Sequence, residues 1–416
     1  MVIAPRFLRH RFGRLRLQSV SPAATIGAAI AAIVAVIIGV GQLASTAMTA
    51  SSGPALHPED VVVTSLSPAP LAARQNAIAV STGREVIIWG GDDGAGRFFA
   101  DGATYELATG KWHRIAPAPI SGRSRAAAAW VGNRMIVWGG VGAYPSPRGL
   151  ADGAAYDLAT NSWQKIASAP YAGRQGALAI AFAGQLYIAG GVTPTDAQMS
   201  RSILQYDLAS GAWRTVGTVN PVYAAVTTSA GLVTAELDRS SGMVTSHLIE
   251  PAAASARSSD IDARAVTGGI QGVTLVSDAA KPLLVTTNSA GMTTAYILTI
   301  SSAGARWTAT AAMSTAAFHA VNDVNSTFSG AMARYSGGIV LAVSSQGVWD
   351  LRMNSGRAVL GDQDMLRHSI CGAGSAYAVT AKGIVVWGGQ SCRPNGPLVI
   401  SSGDMISLRN APRRHP

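Results

Sequence analysis

The sequence predicts an all-β array of repeated four-stranded units, preceded by a single membrane-spanning helix. Two recurrences and one composition shift carry that prediction. Glycine pairs beginning at 90, 139 and 190 are spaced by 49 and 51 residues, and Trp112, Trp163 and Trp213 by 51 and 50. Such a period marks units that cannot bury their apolar faces alone and must stack. At the N-terminus, arginines precede a long uncharged apolar stretch.

Residues 1–22 read as a basic cytoplasmic tail, with Arg6, Arg9, Arg11, Arg14 and Arg16 and no acid among the first sixteen residues. Ala23 to Ala44 is apolar and uncharged. Twenty-odd such residues at ~1.5 Å rise match a hydrocarbon core of ~30 Å. The basic flank keeps the tail in the cytoplasm and sends the remainder outward. The expected location is a single-pass cell-membrane protein with its body on the extracytoplasmic side. The alternative is secretion after cleavage, for which Ser45, Ala47 and Ala50 offer small residues. Residues 45–59 read as a linker, 60–410 as the repeat domain and 411–416 as a second basic tail.

Each unit holds four short strand candidates. In the first unit an Ala-containing strand follows Arg74, and a Val/Ile strand ends at Gly90-Gly91. A third strand centres on Tyr105-Glu-Leu, and a fourth begins at Trp112. The second unit repeats this with Arg123, Gly139-Gly140, Tyr156 and Trp163, and the third with Arg174, Gly190-Gly191, Tyr206 and Trp213. Small residues in the first strand suit a crowded axis. The Gly-Gly exit needs backbone angles closed to other residues. Tyr and Trp fill the wedge between neighbouring units and offer a polar atom to the backbone.

This constellation resembles the Kelch-repeat β-propeller family, including the central propeller of galactose oxidase-like proteins. The likeness is strong over Arg74 to Gly217 and returns at Gly388-Gly389. The glycine pairs beginning at 190 and 388 are 198 residues apart, near four periods. That gives seven four-stranded blades, three of them degenerate, with six blades as the alternative. The last unit stops at its third strand, Asp404 to Leu408. Residues 61–74 resemble 112–123, so Val61 to Leu66 is expected to supply the missing strand and remove a free edge.

Arg74, Arg123, Arg125, Arg174 and Arg367 fall at or near the starts of inner strands. Arg97, Arg148 and Arg201 fall in the loops after Gly-Gly. A partial ring of guanidinium groups on this face would hold a carboxylate or another anion. A bracing role in the inter-blade loops is the alternative. Cys371 and Cys392 map to the same face of the last blade and would close a ~20-residue loop as a disulfide in an oxidising compartment.

Signals for catalysis are poor. The histidines after the apolar stretch are scattered without paired ligand spacing, so neither a metal nor another cofactor is expected. Asp92 and Asp93 lack the spacing of a calcium loop, and the surrounding glycines precede no helix that could cradle a phosphate. The net charge of +10 lies mainly in the two ends, leaving 24 basic against 22 acidic residues between them, and so excludes a nucleic-acid partner. Four lysines against 28 arginines, with abundant alanine, suggest a GC-rich bacterial genome. The functional expectation is a non-enzymatic binding or scaffold module for a protein or glycan, with the membrane reached through the N-terminal helix. The alternative implied by the resemblance is an enzyme on an anionic sugar, similar to sialic-acid mutarotase-like or galactose oxidase-like proteins.

Overall fold

The computed structural model describes residues 56–143, 149–193, 198–218, 221–229, 231–238, 241, 243–249, 270–276, 282–288, 293–301, 304–313, 330–334, 340–344, 347–350, 359–361, 374–391 and 398–409. The apolar stretch at 23–44, Arg148, Arg367, Cys371, Cys392 and the C-terminal tail lie outside them. Among the described residues no helix is long and apolar enough to cross a membrane.

Seven antiparallel sheets, each of three or four strands, are present among the described residues, with one small two-stranded ribbon. Blade 1 runs Ile78–Ser81, Glu85–Trp89, Gly102–Glu106 and Trp112–Arg114 from its inner to its outer strand. Blade 2 is Ala127–Val131, Arg134–Trp138, Gly153–Asp157 and Ser162–Ile166, and blade 3 is Leu178–Phe182, Gln185–Ala189, Ser202–Tyr206 and Trp213–Thr218. Blades 4, 5 and 6 open on Val222–Thr227, Ile270–Val276 and Gly330–Arg334. Blade 7 consists of Ala376–Val379, Ile384–Trp387, Gly403–Leu408 and, as its outer strand, Val61–Ser65. The inner strands neighbour one another in sequence order, and that of blade 7 returns to that of blade 1. The array is a closed ring, a seven-bladed propeller.

Second strands are buried on both faces, which is why they read as unbroken apolar runs rather than as alternation. In blade 1, Ile87 and Trp89 pack toward Met135, Val137 and Tyr156 of blade 2. Val86 and Ile88, pointing the other way, pack against Val385 and Trp387 of blade 7. Each such side chain, fully buried, contributes roughly 1.5–3 kcal/mol.

Tyrosine and tryptophan knit blades in one rotational sense. Trp112, Trp163 and Trp213 each stack on the Tyr of their own blade, with ring centroids 5.0, 5.1 and 4.9 Å apart. They also reach the second-strand tryptophan of the preceding blade: Trp112 to Trp387, Trp163 to Trp89 and Trp213 to Trp138. Each indole N–H then donates to a backbone oxygen after the preceding outer strand, at Ser67, Ala116 and Ala167 respectively.

Blade 4 holds its third strand in two pieces, Met243–Thr245 and Leu248–Ile249, in one register against Leu232–Asp238. The break falls at His247, whose N–H donates to the Thr234 hydroxyl at 3.2 Å instead of to a ladder carbonyl. The His247 ring lies 2.6 Å from the fully buried Glu236 carboxylate. Polar side chains thus sit where blades 1 to 3 are apolar.

The ring is closed by chain ends: Val61 pairs with Leu408 and Ser65 with Asp404, and the Ser65 hydroxyl donates to the Asp404 carboxylate at 2.7 Å. A chain starting at residue 67 would leave Gly403–Leu408 as a bare edge. The thermal midpoint of the whole propeller, followed by circular dichroism, is expected to fall by about 5 °C or more. An unchanged midpoint would show that the ring does not depend on this strand.

Candidate functional site

Arg74, Arg123 and Arg174 do not form a ring of available guanidinium groups; this corrects the expectation drawn from their recurrence. All three are buried, at 0, 0 and 2% exposure. Their side chains run outward from the axis along their own blades and are spent on bracing them. Arg74 donates to the carbonyls of Ala72 and Gly90 and grips the Asp101 carboxylate with two nitrogens, at 2.8 and 3.2 Å. Arg123 repeats the grip on Asp152, at 2.9 and 3.0 Å, with Nε donating to the Ser121 carbonyl. The backbone of the same arginines joins blades. The second glycine of three Gly-Gly pairs donates to the arginine carbonyl of the next blade: Gly389 to Arg74, Gly91 to Arg123 and Gly140 to Arg174.

Glycine is required there. Gly90 and Gly91 have φ of 71° and 95°, and a Cβ on Gly91 would stand 2.7 Å from the Gln75 carbonyl oxygen. The same left-handed pair recurs at Gly139-Gly140, Gly190-Gly191 and Gly388-Gly389.

Around the axis a second feature emerges. Asn76, Arg125, Gly176 and Gly374 occupy the same place in four successive blades, each with positive φ (54°, 54°, 61° and 76°). Their backbones form a hydrogen-bonded arc: Gly176 N–H to Arg125 O, Arg125 N–H to Asn76 O, and Asn76 N–H to Gly374 O, at 2.9, 3.1 and 2.7 Å. This arc is the rim of the central mouth in blades 7, 1, 2 and 3. Beside it the largely buried Asp92 carboxylate accepts from the Gln75 amide, the Asn76 amide and the Gly94 N–H at 2.8, 3.0 and 3.0 Å. Gln390 donates to Gln75 at 2.6 Å and carries the network into blade 7.

Arg125 is the member of the expected set that lies on this rim. Its side chain is half-buried and, among the described residues, makes neither a hydrogen bond nor an ion pair. Burial pulls its pKa below the ordinary arginine value, with Asp92 partly offsetting that. Gln175, one residue before the arc, is 2% exposed and leaves its amide nitrogen without a partner. The corresponding Gln75 has Asp92, whereas the residue after Gly190-Gly191 is Val192. The mouth therefore presents a cation beside a saturated carboxylate, an arrangement suited to oxygen-rich or anionic groups.

Arg97 is exposed in its loop, 5.0 Å from the Phe99 ring centroid, and Arg201 is also described. Asp93 caps its own loop, accepting from the N–H groups of Ala95 and Arg97. Among the described residues no group of three or more His, Cys, Asp or Glu is placed to hold a metal ion.

Comparison with known proteins bears on this architecture. Residues 59–234 match the family model of the KLHDC2/KLHL20/DRC7 Kelch-repeats domain. That stretch is Kelch repeat and spans blades 1 to 3. No curated protein matches the chain. Among solved structures, that of YjhT aligns over 83% of this chain and 99% of its own, at 15% identity and a TM-score of 0.48.

The braces carry a pH dependence. Burial works against ionisation of Asp101, but the hydrogen bonds and charge of Arg74, with a smaller contribution from Arg114, hold its carboxyl below the ordinary value. A depressed carboxyl contributes stability above its unfolded pKa of ~3.9 and loses it as pH falls through the folded value. Asp101→Asn is expected to melt below the wild type at pH 7, with the gap narrowing as pH falls below ~4. A gap that stays constant through that fall would show that the ionised pair is not what Asp101 contributes.

Proposed function

We propose that this chain is a non-enzymatic binding module: a Kelch-type propeller, held on the extracytoplasmic side of a membrane, whose central mouth takes a protein or glycan. The observation that carries this reading is Arg125. A bulky charged residue occupies a left-handed position where blades 7, 1 and 3 use Gly, Asn and Gly. Its guanidinium group has no hydrogen-bond partner among the described residues. A non-glycine residue there costs about 1–2 kcal/mol, and a half-buried cation left unpaired adds to that cost. Such strain is a pointer to use.

The ligand chemistry this supports is a polyhydroxylated or acidic surface. Arg125 would grip a carboxylate or a sugar oxygen, while Asn76, Asp92 and Gln75 form a pre-organised wall that needs no rearrangement. Holding the wall in one network reduces the ordering cost that binding otherwise incurs.

Screening the purified protein against glycans, sugar acids and acidic peptides is expected to find saturable binding without turnover. Arg125→Ala is expected to weaken it about 10- to 100-fold, the worth of one charge-assisted hydrogen bond. Binding unchanged in this variant for every ligand found would sink the assignment to the mouth. Conversion of a sugar acid would replace the reading by an enzymatic one.

The membrane placement rests on the sequence of residues 1–44. Cell fractionation with sizing of the mature chain is expected to recover the full-length protein with membranes and release it with detergent but not with salt. A shortened chain in the medium would show cleavage instead.

A further inference from the structure

We propose that blade 3 binds the carboxylate of a small organic acid, at the place where blades 1 and 2 supply a carboxylate of their own. In those two blades a buried arginine is paired with an aspartate at the start of the third strand, Arg74 with Asp101 and Arg123 with Asp152. Blade 3 keeps the arginine, Arg174, but has Ser202 at the aspartate's position. Blade 7 also has a serine there, Ser402, whose carbonyl accepts from Gly388 as those of Asp101 and Asp152 accept from Gly90 and Gly139. Its position equivalent to the arginine, however, is Gly372. Blades 1 and 2 keep the pair, whereas in blade 3 half of it remains.

The remaining half is under-satisfied. Arg174 donates only to neutral oxygens: the carbonyls of Gly190 and Ser202 at 3.3 and 2.9 Å, and the Ser202 hydroxyl at 2.6 Å. Its Nε, which in Arg74 and Arg123 reaches the carbonyls of Ala72 and Ser121, has no partner. Burial with no compensating negative charge lowers its pKa to about 10, so the group remains a cation at neutral pH. An uncompensated buried charge is costly, and an ion from solution that neutralises it gains what the missing carboxylate would have contributed.

The site is also reachable and lined. Asp101 and Asp152 are 38 and 40% exposed while the arginines they cover are not, so the carboxylate position lies at the surface. In blade 3 it is bordered by the half-buried Ser202 and Ser200, whose hydroxyls are 3.4 Å apart. A two-oxygen anion there would accept from Arg174 Nη2, the nitrogen that in Arg74 and Arg123 also reaches the aspartate, with the two hydroxyls replacing the second guanidinium contact those aspartates make. None of these hydrogen bonds of Arg174, Ser200 and Ser202 involves Arg125.

The test is thermal unfolding of the full chain in sodium acetate against sodium chloride at equal ionic strength. Acetate is expected to raise the wild-type midpoint by about 2 °C relative to chloride once tenfold above its half-effect concentration. Ser202→Asp supplies the carboxylate in place and is expected to abolish the difference, whereas Arg125→Ala leaves it intact. Acetate and chloride acting alike on the wild type would overturn the proposal, and that comparison requires no variant to fold. An acetate effect persisting in Ser202→Asp would overturn it as well, by placing the acetate elsewhere.

Discussion

A buried guanidinium at the entrance to each of the first three blades is the constraint on which this architecture turns. The arginine does two jobs that lie at right angles. Its carbonyl accepts the N–H of a left-handed glycine from the blade before, so the step from blade to blade is set by backbone hydrogen bonding. Its side chain fastens the end of the second strand to the start of the third within its own blade. Neither job tolerates exposure. A guanidinium in water gains nothing from carbonyls it could exchange for solvent, whereas a buried one is strongly destabilised when a partner is withdrawn. That asymmetry makes Arg74 and Arg123, whose aspartates complete the pair, braces and keeps them from serving as receptors.

Blade 3 shows how far a repeat can drift while keeping the constraint. In blade 1, Trp89 fills the end of the second strand, and a Cβ on Gly102 opposite would lie 3.0 Å from the indole and 2.5 Å from the Ile88 carbonyl oxygen. Blade 7 repeats the pairing with Trp387 and Gly403. In blade 3 the same two places hold Ala189 and Ile203, both fully buried. Bulk has moved from one strand to the other, and the third strand shows a register shift against the outer strand between Ile203 and Leu204. Volume-conserving exchanges are the changes a packed core accepts most readily. The loss of Asp at 202 is of another kind, because no neighbour among the described residues takes over the lost charge.

What could be read from the sequence was what repeats report well. Gly-Gly, Tyr and Trp recur because each fills a role with few chemical solutions, so their spacing revealed blades 1 to 3 and the last. Blades 4 to 6 were harder to see because they solve the same packing with other residues. Thr234, Glu236 and His247 form a buried polar layer in blade 4, and paired Thr286 and Thr294 do so in blade 5. The arginines were misjudged for a physical reason: recurrence shows that a residue matters and says nothing about where its side chain points. A signal was present nonetheless. Asp101 and Asp152 recur 27 and 29 residues after their arginines, and a recurring opposite charge at a near-constant interval argues for a pair. Arg125 carries no such companion.

The rim of the mouth follows from that same brace. Once Arg74, Arg123 and Arg174 are pinned at both carbonyl and side chain, the chain must turn sharply to enter the inner strand two residues later. The turn is taken by the left-handed residues Asn76, Arg125 and Gly176. Their amides and carbonyls, turned toward the neighbouring blades, satisfy one another in the arc. A position held so firmly by its backbone does not depend on its side chain for stability. Gly and Asn, which adopt positive φ at least cost, are the residues expected when nothing else is asked of it. Gly176 and Gly374 meet that expectation, and Asn76 meets it while also holding Asp92. Arginine is among the least suited residues on backbone grounds, and the structure gives its guanidinium no internal partner among the described residues. The ligand proposed for the mouth would give that guanidinium the partner the fold withholds.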